Sequence, residues 1–410
     1  MIAQLVICLF VCGFVSFTNV EAAGCSISLN SDLSDPQPLY LKPDNTLTGN
    51  DAFIEPIDDV GTVNFKANEK LTISCPGGKI KLLGVATTKT LSTASCAQGT
   101  NFKIEGKTVP LVNITCSKQA EQILRYTGNS CGNADYFKEI EMGFNLDDTR
   151  FYTQINVCFD DELQDSPYAV FDMTPSIGGY QANYPRPNFK EAGFYNLGKT
   201  KLDDLYQRAK QRTTINKQLG LADTDNKYIH ATNDYYLARG HLAAKTDFLY
   251  GSQQRLTFNF VNAAPQWQTL NAGNWLRLED SVRNFASKNA LDLLVYTGTD
   301  GTLTLPHAET GEETAVYLYS EDFQAIPVPE LFWKVVYHPA SKSGVAFIAV
   351  NNPYADNYEP ICTDICDQVT WPTWDPSNQK SGFGYCCDVN EFRTLVQTLP
   401  DFEVKSVLNG

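Results

Sequence analysis

The residues best suited to chemistry lie between positions 239 and 283. Arg239 and His241 begin this stretch. An amide, a carboxylate and a second guanidinium follow at Asn271, Glu279 and Arg283. Imidazole accepts a proton from water near neutral pH, amide and carboxylate oxygens suit a hard cation such as Mg²⁺, and guanidinium groups pair with phosphate oxygens. These residue types are together sufficient for metal-assisted hydrolysis of a phosphodiester.

Taken singly, each of these residues also has a structural interpretation. His241 is one of only four histidines, and one isolated histidine is more often structural than catalytic. The four-residue spacing from Asn271 through Trp275 to Arg283 predicts side chains near one face of a helix, because each step of four advances about 400°. Such a face can hold a cation, or it can be solvated with an i,i+4 ion pair between Glu279 and Arg283.

The elements around these residues alternate between helix and strand patterns. The sequence predicts helices at 199–219 and 274–286 and a strand between them at 255–260. Residues 174–194 are rich in Gly, Pro, Asn and Tyr and are predicted to form a loop. Its aromatic side chains suit either base stacking or ordinary packing. Further strands are predicted at 167–173, 291–296, 315–319, 331–337 and 344–350, and a closing helix at 391–399.

The chain is long enough, at 410 residues, for two domains. Residues 24–150 are predicted to form a small β-rich domain stapled by disulfides, and residues 151–405 a second domain that carries the chemistry. In the first, short apolar segments alternate with turn residues, and a short helix is predicted at 117–126. Strands are predicted there at 71–74, 79–83, 137–144 and 151–159, the last reaching into the second domain.

The N-terminus has the pattern of a secretory signal peptide over residues 1–23, with an early apolar run followed by small residues. No other apolar run reaches membrane-spanning length, so a secreted, extracellular protein without membrane association is expected. Removal of the signal leaves ten of twelve cysteines, six before residue 160 and four after 360. The even count favours disulfides closed within each group. The sequon Asn113-Ile114-Thr115 is a candidate glycosylation site.

The last four cysteines also allow a second interpretation as a zinc site. Cys362 and Cys366 have metal-ligand spacing, but Cys386 and Cys387 are adjacent and chelate poorly, so disulfides are favoured. Net charge weighs against a polyanionic ligand. The chain carries a formal charge of −15, whereas a nucleic-acid backbone is attracted to positive charge. A nucleic-acid site would therefore need a locally positive cleft or a bound metal.

Three sequence elements resemble the DNA/RNA non-specific endonucleases. They are Arg239-Gly240-His241, Asn262-x-x-Pro265-Gln266, and the Asn271-x-x-x-Trp275-x-x-x-Glu279-x-x-x-Arg283 helix, with 30 residues between the histidine and the first asparagine of that helix. The resemblance covers about residues 165–400 and is nearest to secreted arthropod members, including crustacean duplex-specific and insect gut or salivary types. It implies the ββα-metal fold, an α+β class with a central antiparallel sheet flanked by helices. One departure is Ala238, where many members have an acidic residue.

The resemblance also implies a role for each site residue. His241 is expected to be the general base that activates water. Asn271 is expected to be the direct protein ligand of Mg²⁺, for which Mn²⁺ can substitute, and Glu279 to hold metal-bound waters. Arg239 and Arg283 are expected to neutralise the phosphate as charge develops. A supporting role by hydrogen bonding is expected for the asparagine of the second element, Asn262.

The implied activity is endonucleolytic cleavage of DNA with little base specificity, leaving 5′-phosphate ends. Double-stranded RNA and DNA–RNA hybrids remain open as further substrates, as does the oligomeric state. The alternative is a secreted protein of the same fold that binds nucleic acid or another anionic ligand without cutting it. The complete set of central motif residues favours the enzyme.

Overall fold

The structure is a computed structural model that describes residues 24–409 apart from Asn133. The signal peptide predicted for residues 1–23 lies outside the described residues. The fold is of the predicted α+β class, with antiparallel sheets and few helices. None of the described helices has the length and apolar character that a membrane crossing requires.

The N-terminal region is built from short strands in small sheets. Strand order in the largest of these sheets is β2-β4-β7-β8-β9, and β1 pairs with β3 and β5 with both β6 and β10. In β4 the buried Leu71 and Ile73 alternate with more exposed neighbours, as expected for a sheet with one face on a core. The strands are β1 (Cys25–Ser28), β2 (Leu39–Leu41), β3 (Thr62–Phe65), β4 (Lys70–Ser74), β5 (Ile80–Leu82), β6 (Val85–Ala86), β7 (Leu91–Gln98), β8 (Asn101–Ile104), β9 (Lys107–Pro110) and β10 (Ile114–Cys116).

The remaining strands follow in chain order. They are β11 (Ile123–Cys131), β12 (Ala134–Asn145), β13 (Phe151–Asp160), β14 (Asp165–Met173), β15 (Leu237–His241), β16 (Ala263–Trp267), β17 (Leu293–Asp300), β18 (Thr304–Pro306), β19 (Glu313–Ala315), β20 (Tyr317–Ser320), β21 (Gln324–Pro327), β22 (Leu331–His338), β23 (Ser343–Val350), β24 (Gly384–Cys387) and β25 (Ser406–Val407). A large sheet joins most of them in the order β11-β12-β13-β14-β17-β22-β23-β24, all antiparallel, and β25 pairs in parallel with β23. Strand β23 is buried along its whole length, because elements cover both faces of the sheet there.

The helices are α1 (Leu202–Leu205), α2 (Arg208–Gln218), α3 (Gly251–Leu256), α4 (Gln268–Asn271), α5 (Asn274–Asn289) and α6 (Val389–Leu395). The longest, α5, confirms the helix predicted at 274–286. Its buried apolar residues recur at three- and four-residue spacing, which gives one face toward the core. Trp275 on this face meets Phe332 of β22 with 5.5 Å between ring centroids, so α5 packs on the central sheet.

Two local predictions were wrong. Residues 117–126 form no helix, because the segment from Ile123 onward pairs as β11 with β12. Residues 255–260 are not a strand: they contain the end of α3, and a 3-10 turn begins at Phe260. The polar side chains there bond locally to the backbone, with Thr257 Oγ1 donating to the Gln254 carbonyl and Asn259 Nδ2 donating to the Leu256 carbonyl. Such local bonds compete with a strand ladder.

Disulfides close within the two predicted groups of cysteines. The bonded pairs are Cys25–Cys96, Cys75–Cys116, Cys131–Cys158, Cys362–Cys387 and Cys366–Cys386. The zinc alternative is therefore excluded, because all four C-terminal thiols are oxidised. The Cys131–Cys158 bond and the β12–β13 pairing each join a residue before position 150 to one after it. Residues 123–145 therefore belong to the central sheet. The division into two domains remains a prediction, and this pairing favours a boundary nearer residue 120.

Candidate active site

Two of the sequence motifs are the two strands of one β-ribbon. Strand β15 carries Arg239 and His241 and pairs antiparallel with β16, which follows Asn262. Gly240 is required by this pairing: a Cβ atom at its position would lie 2.6 Å from the side chain of Gln266 on the neighbouring strand. The separate motifs are thus one local structure, in which the ribbon fixes the direction of the His241 side chain.

A cleft of about 760 Å³ opens beside this ribbon. Four of the six predicted site residues line it, namely Arg239, His241, Asn271 and Glu279. Asn262 and Arg283 do not belong to its lining. The lining also includes residues that the sequence did not single out as site residues, among them Arg186, Phe189 and Lys245.

His241 lies at the bottom of the cleft, with 7% of its surface exposed. Phe189 and Phe258 pack on the imidazole, each with 5.0 Å between ring centroids. Its Nε2 atom is buried and has no hydrogen-bond partner among the described residues. Burial, and then the positive charges of Arg186 and Lys245, lower the pKa of His241 to about 3. The imidazole is therefore neutral near physiological pH, and Nε2 is not committed to a protein partner.

Asn271 and Glu279 belong to different helices. Asn271 ends α4, and the chain turns at Gly273 before α5 begins, so the predicted continuous helical stripe from Asn271 to Arg283 is wrong. The turn needs glycine: a Cβ atom at Gly273 would lie 2.3 Å from the Thr269 carbonyl oxygen. This helix break still leaves Asn271 and Glu279 lining the same cleft.

The polar atoms of these two side chains fit a hard cation. Asn271 Nδ2 donates to Gln268 Oε1 at 3.1 Å, which orients the amide and leaves Oδ1 without a described protein donor. Burial, followed by the nearby charge of Asp247, raises the pKa of Glu279. A carboxylate held in this way is stabilised by a cation. One amide oxygen and one nearby carboxylate form an oxygen-rich donor set suited to an ion that keeps most of its waters.

Arg283 occupies a buried ion-pair network behind the cleft. Its Nη1 atom lies 2.7 Å from Asp247 Oδ1, and its Nη2 contacts Asp280. The Arg283 and Asp247 side chains are only 6% and 2% exposed. Asp247 Oδ2 also accepts from the Ala244 amide at 3.2 Å, so the pair connects α5 to the segment that follows His241. This geometry gives Arg283 a positioning contact rather than a place in the cleft.

Asn262 is fully buried and bonded on both ends of its amide. Its Oδ1 accepts from the Ala243 amide at 2.9 Å, and its Nδ2 donates to the carbonyls of Ala243 at 2.9 Å and Thr257 at 3.0 Å. The Leu242 amide donates to its backbone carbonyl at 3.0 Å. These bonds hold the residues directly after His241, and a supporting role for Asn262 in the site stays a prediction.

Arg239 lies at the rim, with its guanidinium 5.0 Å from the centroid of the Tyr206 ring. Its Nη2 atom donates to Asp203 Oδ1 at 2.5 Å, but the Asp203 side chain is 61% exposed. An exposed ion pair of this kind contributes little stability and yields readily to a competing anion. Arg239 can therefore exchange a solvated carboxylate for a phosphate.

Arg186 and Lys245 complete the positive charge of the cleft. With Arg239 they place three basic residues against two acidic ones, Asp203 and Glu279, in the lining. The cleft is thus locally positive in a chain of net charge −15. Sequence reasoning considered the aromatic residues of the 174–194 loop for stacking but missed the basic residues among them. The alternation of Arg186, Phe189 and Lys190 within that loop was the available signal.

Comparisons with known proteins place this site in a family. A family model described as DNA/RNA non-specific endonuclease matches residues 134–392. The salivary endonuclease of Lutzomyia longipalpis is 30% identical over 379 residues, covering 91% of this chain and 84% of that protein. Salivary protein Tsal2A of Glossina morsitans morsitans is 26% identical over 393 residues, covering 94% of each chain.

A crystal structure of an EndoG/EndoGI complex is also similar, at 17% identity and a TM-score of 0.34, covering 64% of this chain and 91% of the matched one; this likeness is too weak to support an argument. The family model and the Lutzomyia relative do support one, since each matches most of the chain. Members of this family are metal-dependent nucleases that act on nucleic acid. The chain belongs to the DNA/RNA non-specific endonuclease family, and the protein is a nuclease.

Proposed function

We propose that this protein is a secreted, Mg²⁺-dependent endonuclease that cuts the phosphodiester backbone of DNA with little base specificity. The observation that carries the proposal is the meeting of His241, Asn271 and Glu279 in one locally positive cleft. Backbone contacts carry no sequence information, so a cleft that recognises phosphate through guanidinium and ammonium groups is indifferent to the base. Double-stranded RNA and DNA–RNA hybrids have the same backbone charge and are further candidate substrates.

The roles we assign follow from the positions of the side chains. Asn271 Oδ1 would hold the divalent ion directly, and the Glu279 carboxylate would hold its waters. The bound ion supplies Lewis-acid stabilisation of negative charge on the phosphate. His241 is neutral and accepts the proton of the attacking water. Arg239 and Arg186 flank the cleft and stabilise the charge that develops on the phosphate oxygens.

The bonds that form and break define the products. The water oxygen bonds to phosphorus, its proton passes to His241, and the bond between phosphorus and the 3′-oxygen breaks. The departing 3′-oxygen takes up a proton from solvent, so the ends are a 5′-phosphate and a 3′-hydroxyl. Mn²⁺ also accepts oxygen ligands and is expected to replace Mg²⁺.

Secretion is supported by three features that do not depend on the site. Residues 1–23 have the pattern of a signal peptide. Disulfides join all ten cysteines between residues 24 and 409, and such bonds persist in oxidising compartments. The two insect relatives described above have the word salivary in their names.

The test is digestion of supercoiled plasmid by the purified protein, with Mg²⁺, with Mn²⁺ and with EDTA. We expect nicked and then linear and fragmented DNA with either ion and none with EDTA. If a kinase can add labelled phosphate to the product ends only after phosphatase treatment, the ends carry 5′-phosphates. Slower migration of uncut plasmid in a gel under all conditions would favour the alternative of a binding protein. Products with 5′-hydroxyls would overturn the assignment of the bond that breaks.

A further inference from the structure

Basic side chains continue from the cleft toward the N-terminal region. Arg186 and Lys245 line the cleft, and the Arg186 guanidinium lies 5.0 Å from the centroid of the Phe258 ring. The Lys190 amide donates to the Phe258 carbonyl at 3.1 Å, which holds Lys190 next to this ring. Arg255 in α3 is three residues before Phe258. We refer to Arg186, Lys190, Lys245 and Arg255 as the cation strip.

Among the described residues, no acidic side chain forms an ion pair with any member of the cation strip. The contacts that the strip does make are neutral. Lys190 Nζ donates to Gln122 Oε1 at 3.1 Å, and Lys245 Nζ donates to the Tyr184 carbonyl. Lys245 and Arg255 are partly buried, whereas Arg186 and Lys190 are exposed and open to an incoming anion.

Burial and then neighbouring charges of the strip lower the pKa values of its two lysines. Burial, and then the charge of Arg255, lower the pKa of Lys190. Burial, and then the charge of Arg186, lower the pKa of Lys245. Burial lowers the pKa of Arg186, and the charge of Glu279 partly offsets this. Four like charges held close together still repel one another and are unexpected in a chain of net charge −15. An anion that binds across them relieves the repulsion.

We propose that Lys190 and Arg255 form a second phosphate subsite, which binds a backbone phosphate next to the one being cut. Arg186 and Lys245 connect this subsite to the cleft, so one strand contacts both. This inference rests on the proposed function, because it assigns the strip to the same nucleic-acid substrate. It also explains how an acidic protein holds a polyanion: the positive charge is concentrated along the path of the strand.

The test compares Lys190→Gln, Arg255→Gln and the double variant with the unaltered protein. The control is Lys107→Gln, which removes one exposed lysine from β9, away from the cleft lining. Each protein is assayed with duplex DNA over a range of NaCl concentrations. Each is also assayed with a small diester that has one phosphate and a p-nitrophenyl leaving group. Circular dichroism and thermal unfolding check that the variants are folded.

We expect each strip variant to raise KM for DNA and to reduce the slope of log affinity against log salt by about 0.9, the value for one lost phosphate contact. The loss should be much smaller with the single-phosphate ester, which cannot occupy a second subsite. Lys107→Gln should leave the slope unchanged. Slopes equal to that of the unaltered protein in all strip variants would overturn the proposal, as would equal losses on DNA and on the ester.

Failure of the proposed function has a different signature. It appears as absence of cleavage by the unaltered protein with either ion. In that case fluorescence anisotropy with labelled duplex DNA replaces the rate assay. A reduced salt slope of binding in the strip variants still supports the subsite, and an unchanged slope overturns it.

Discussion

The two walls of the cleft are held in different ways. One, the motif wall, consists of Arg239 and His241 on β15 with Asn271 and Glu279 at α4 and α5. The other, the loop wall, is formed by residues 186–189 of the loop at 181–194, a segment with no helix and only an isolated bridge between Lys190 and Asn259. The motif wall is positioned by the hydrogen bonds of the β-ribbon and of the two helices, which all lie within a short stretch of sequence. The loop wall has to be positioned from outside.

The loop at 181–194 is held by backbone bonds to residues 249–260 and also by bonds that involve side chains of the N-terminal region. Gln37 Nε2 donates to Gln181 Oε1 at 2.9 Å, and the Ala182 amide donates to Asn30 Oδ1 at 2.8 Å. The Tyr184 hydroxyl lies 3.3 Å from Asp35 Oδ1, and Lys190 bonds to Gln122 as described above. Motif residues therefore supply the reacting groups, while the N-terminal region helps to fix the loop wall. This contrast predicts that damage to the two walls has different kinetic consequences.

The largest effect is expected from His241→Ala in the motif wall. Loss of the group that accepts the proton should reduce kcat by roughly 10²- to 10⁴-fold, the usual contribution of a general base, with KM for DNA little changed. Initial rates on plasmid with Mg²⁺ give both constants. A folded variant that cuts as fast as the unaltered protein would show that the general base is another residue. The motif wall would then no longer be the part that supplies the reacting groups.

Asn271→Ala should reduce activity through the metal instead of the base. If Asn271 Oδ1 is the direct ligand, the variant needs a higher Mg²⁺ concentration and recovers part of its rate when the ion is raised. Activity is measured as a function of Mg²⁺ concentration, with Gln268→Ala as the matched variant. Gln268 also lines the cleft, but its bond to the Asn271 amide is indirect support for the ion, so its loss should shift the metal dependence less. Identical metal dependence of Asn271→Ala and the unaltered protein would contradict the ligand assignment.

Arg283→Met tests the structural part of the motif wall. The buried Asp247 would lose its main partner, and breaking a buried pair in this way costs about 3–5 kcal/mol. The free energy of unfolding, measured in urea, should fall by that amount. Lys210→Met is the control, because Lys210 pairs with Glu321 at 2.8 Å with 39% and 52% of the two side chains exposed. Its effect should be about 0–1 kcal/mol. Similar losses in both variants would mean that the Arg283 pair is not a buried anchor.

The sequence predicted the motif wall far better than the loop wall, and the reason is physical. His241 is placed by ribbon pairing, and Asn271 and Glu279 by two consecutive helices, so this wall is built mainly from contacts close in sequence. The break at Gly273 was missed because four-residue spacing continues numerically through it. Arg186 has no such periodic signal, since the loop that carries it is held by contacts with residues about 65 to 150 positions away. Arg283 matched the motif, but its burial beside Asp247 is a tertiary property.

A smaller effect concerns the pH dependence of stability. The pKa of His241 is lowered in the folded protein to about 3, from an ordinary value of 6.5. Between these two pH values the unfolded chain binds a proton at His241 and the folded protein does not. The free energy of unfolding therefore decreases as pH falls from about 6.5 toward 3. We expect His241→Leu, which keeps an apolar side chain between Phe189 and Phe258, to lose less stability over this interval. Urea unfolding at pH 7 and pH 5 measures the difference, and an equal loss in both proteins would contradict the burial of a neutral imidazole.

The smallest expected effect separates the walls most directly. Tyr184→Phe removes the hydroxyl that lies 3.3 Å from Asp35 and 3.4 Å from Gln119, while the ring keeps its packing against Gly251. One lost hydrogen bond should lower the free energy of unfolding by about 1 kcal/mol. Because Tyr184 also holds Lys245 through its carbonyl, a looser loop wall should raise KM for DNA modestly with little change in kcat. Tyr317→Phe, outside the cleft lining, controls for loss of a hydroxyl. If Tyr184→Phe instead lowered kcat and left KM unchanged, the loop wall would be acting on the reacting groups and not on the strand, and the division between the two walls would have to be abandoned.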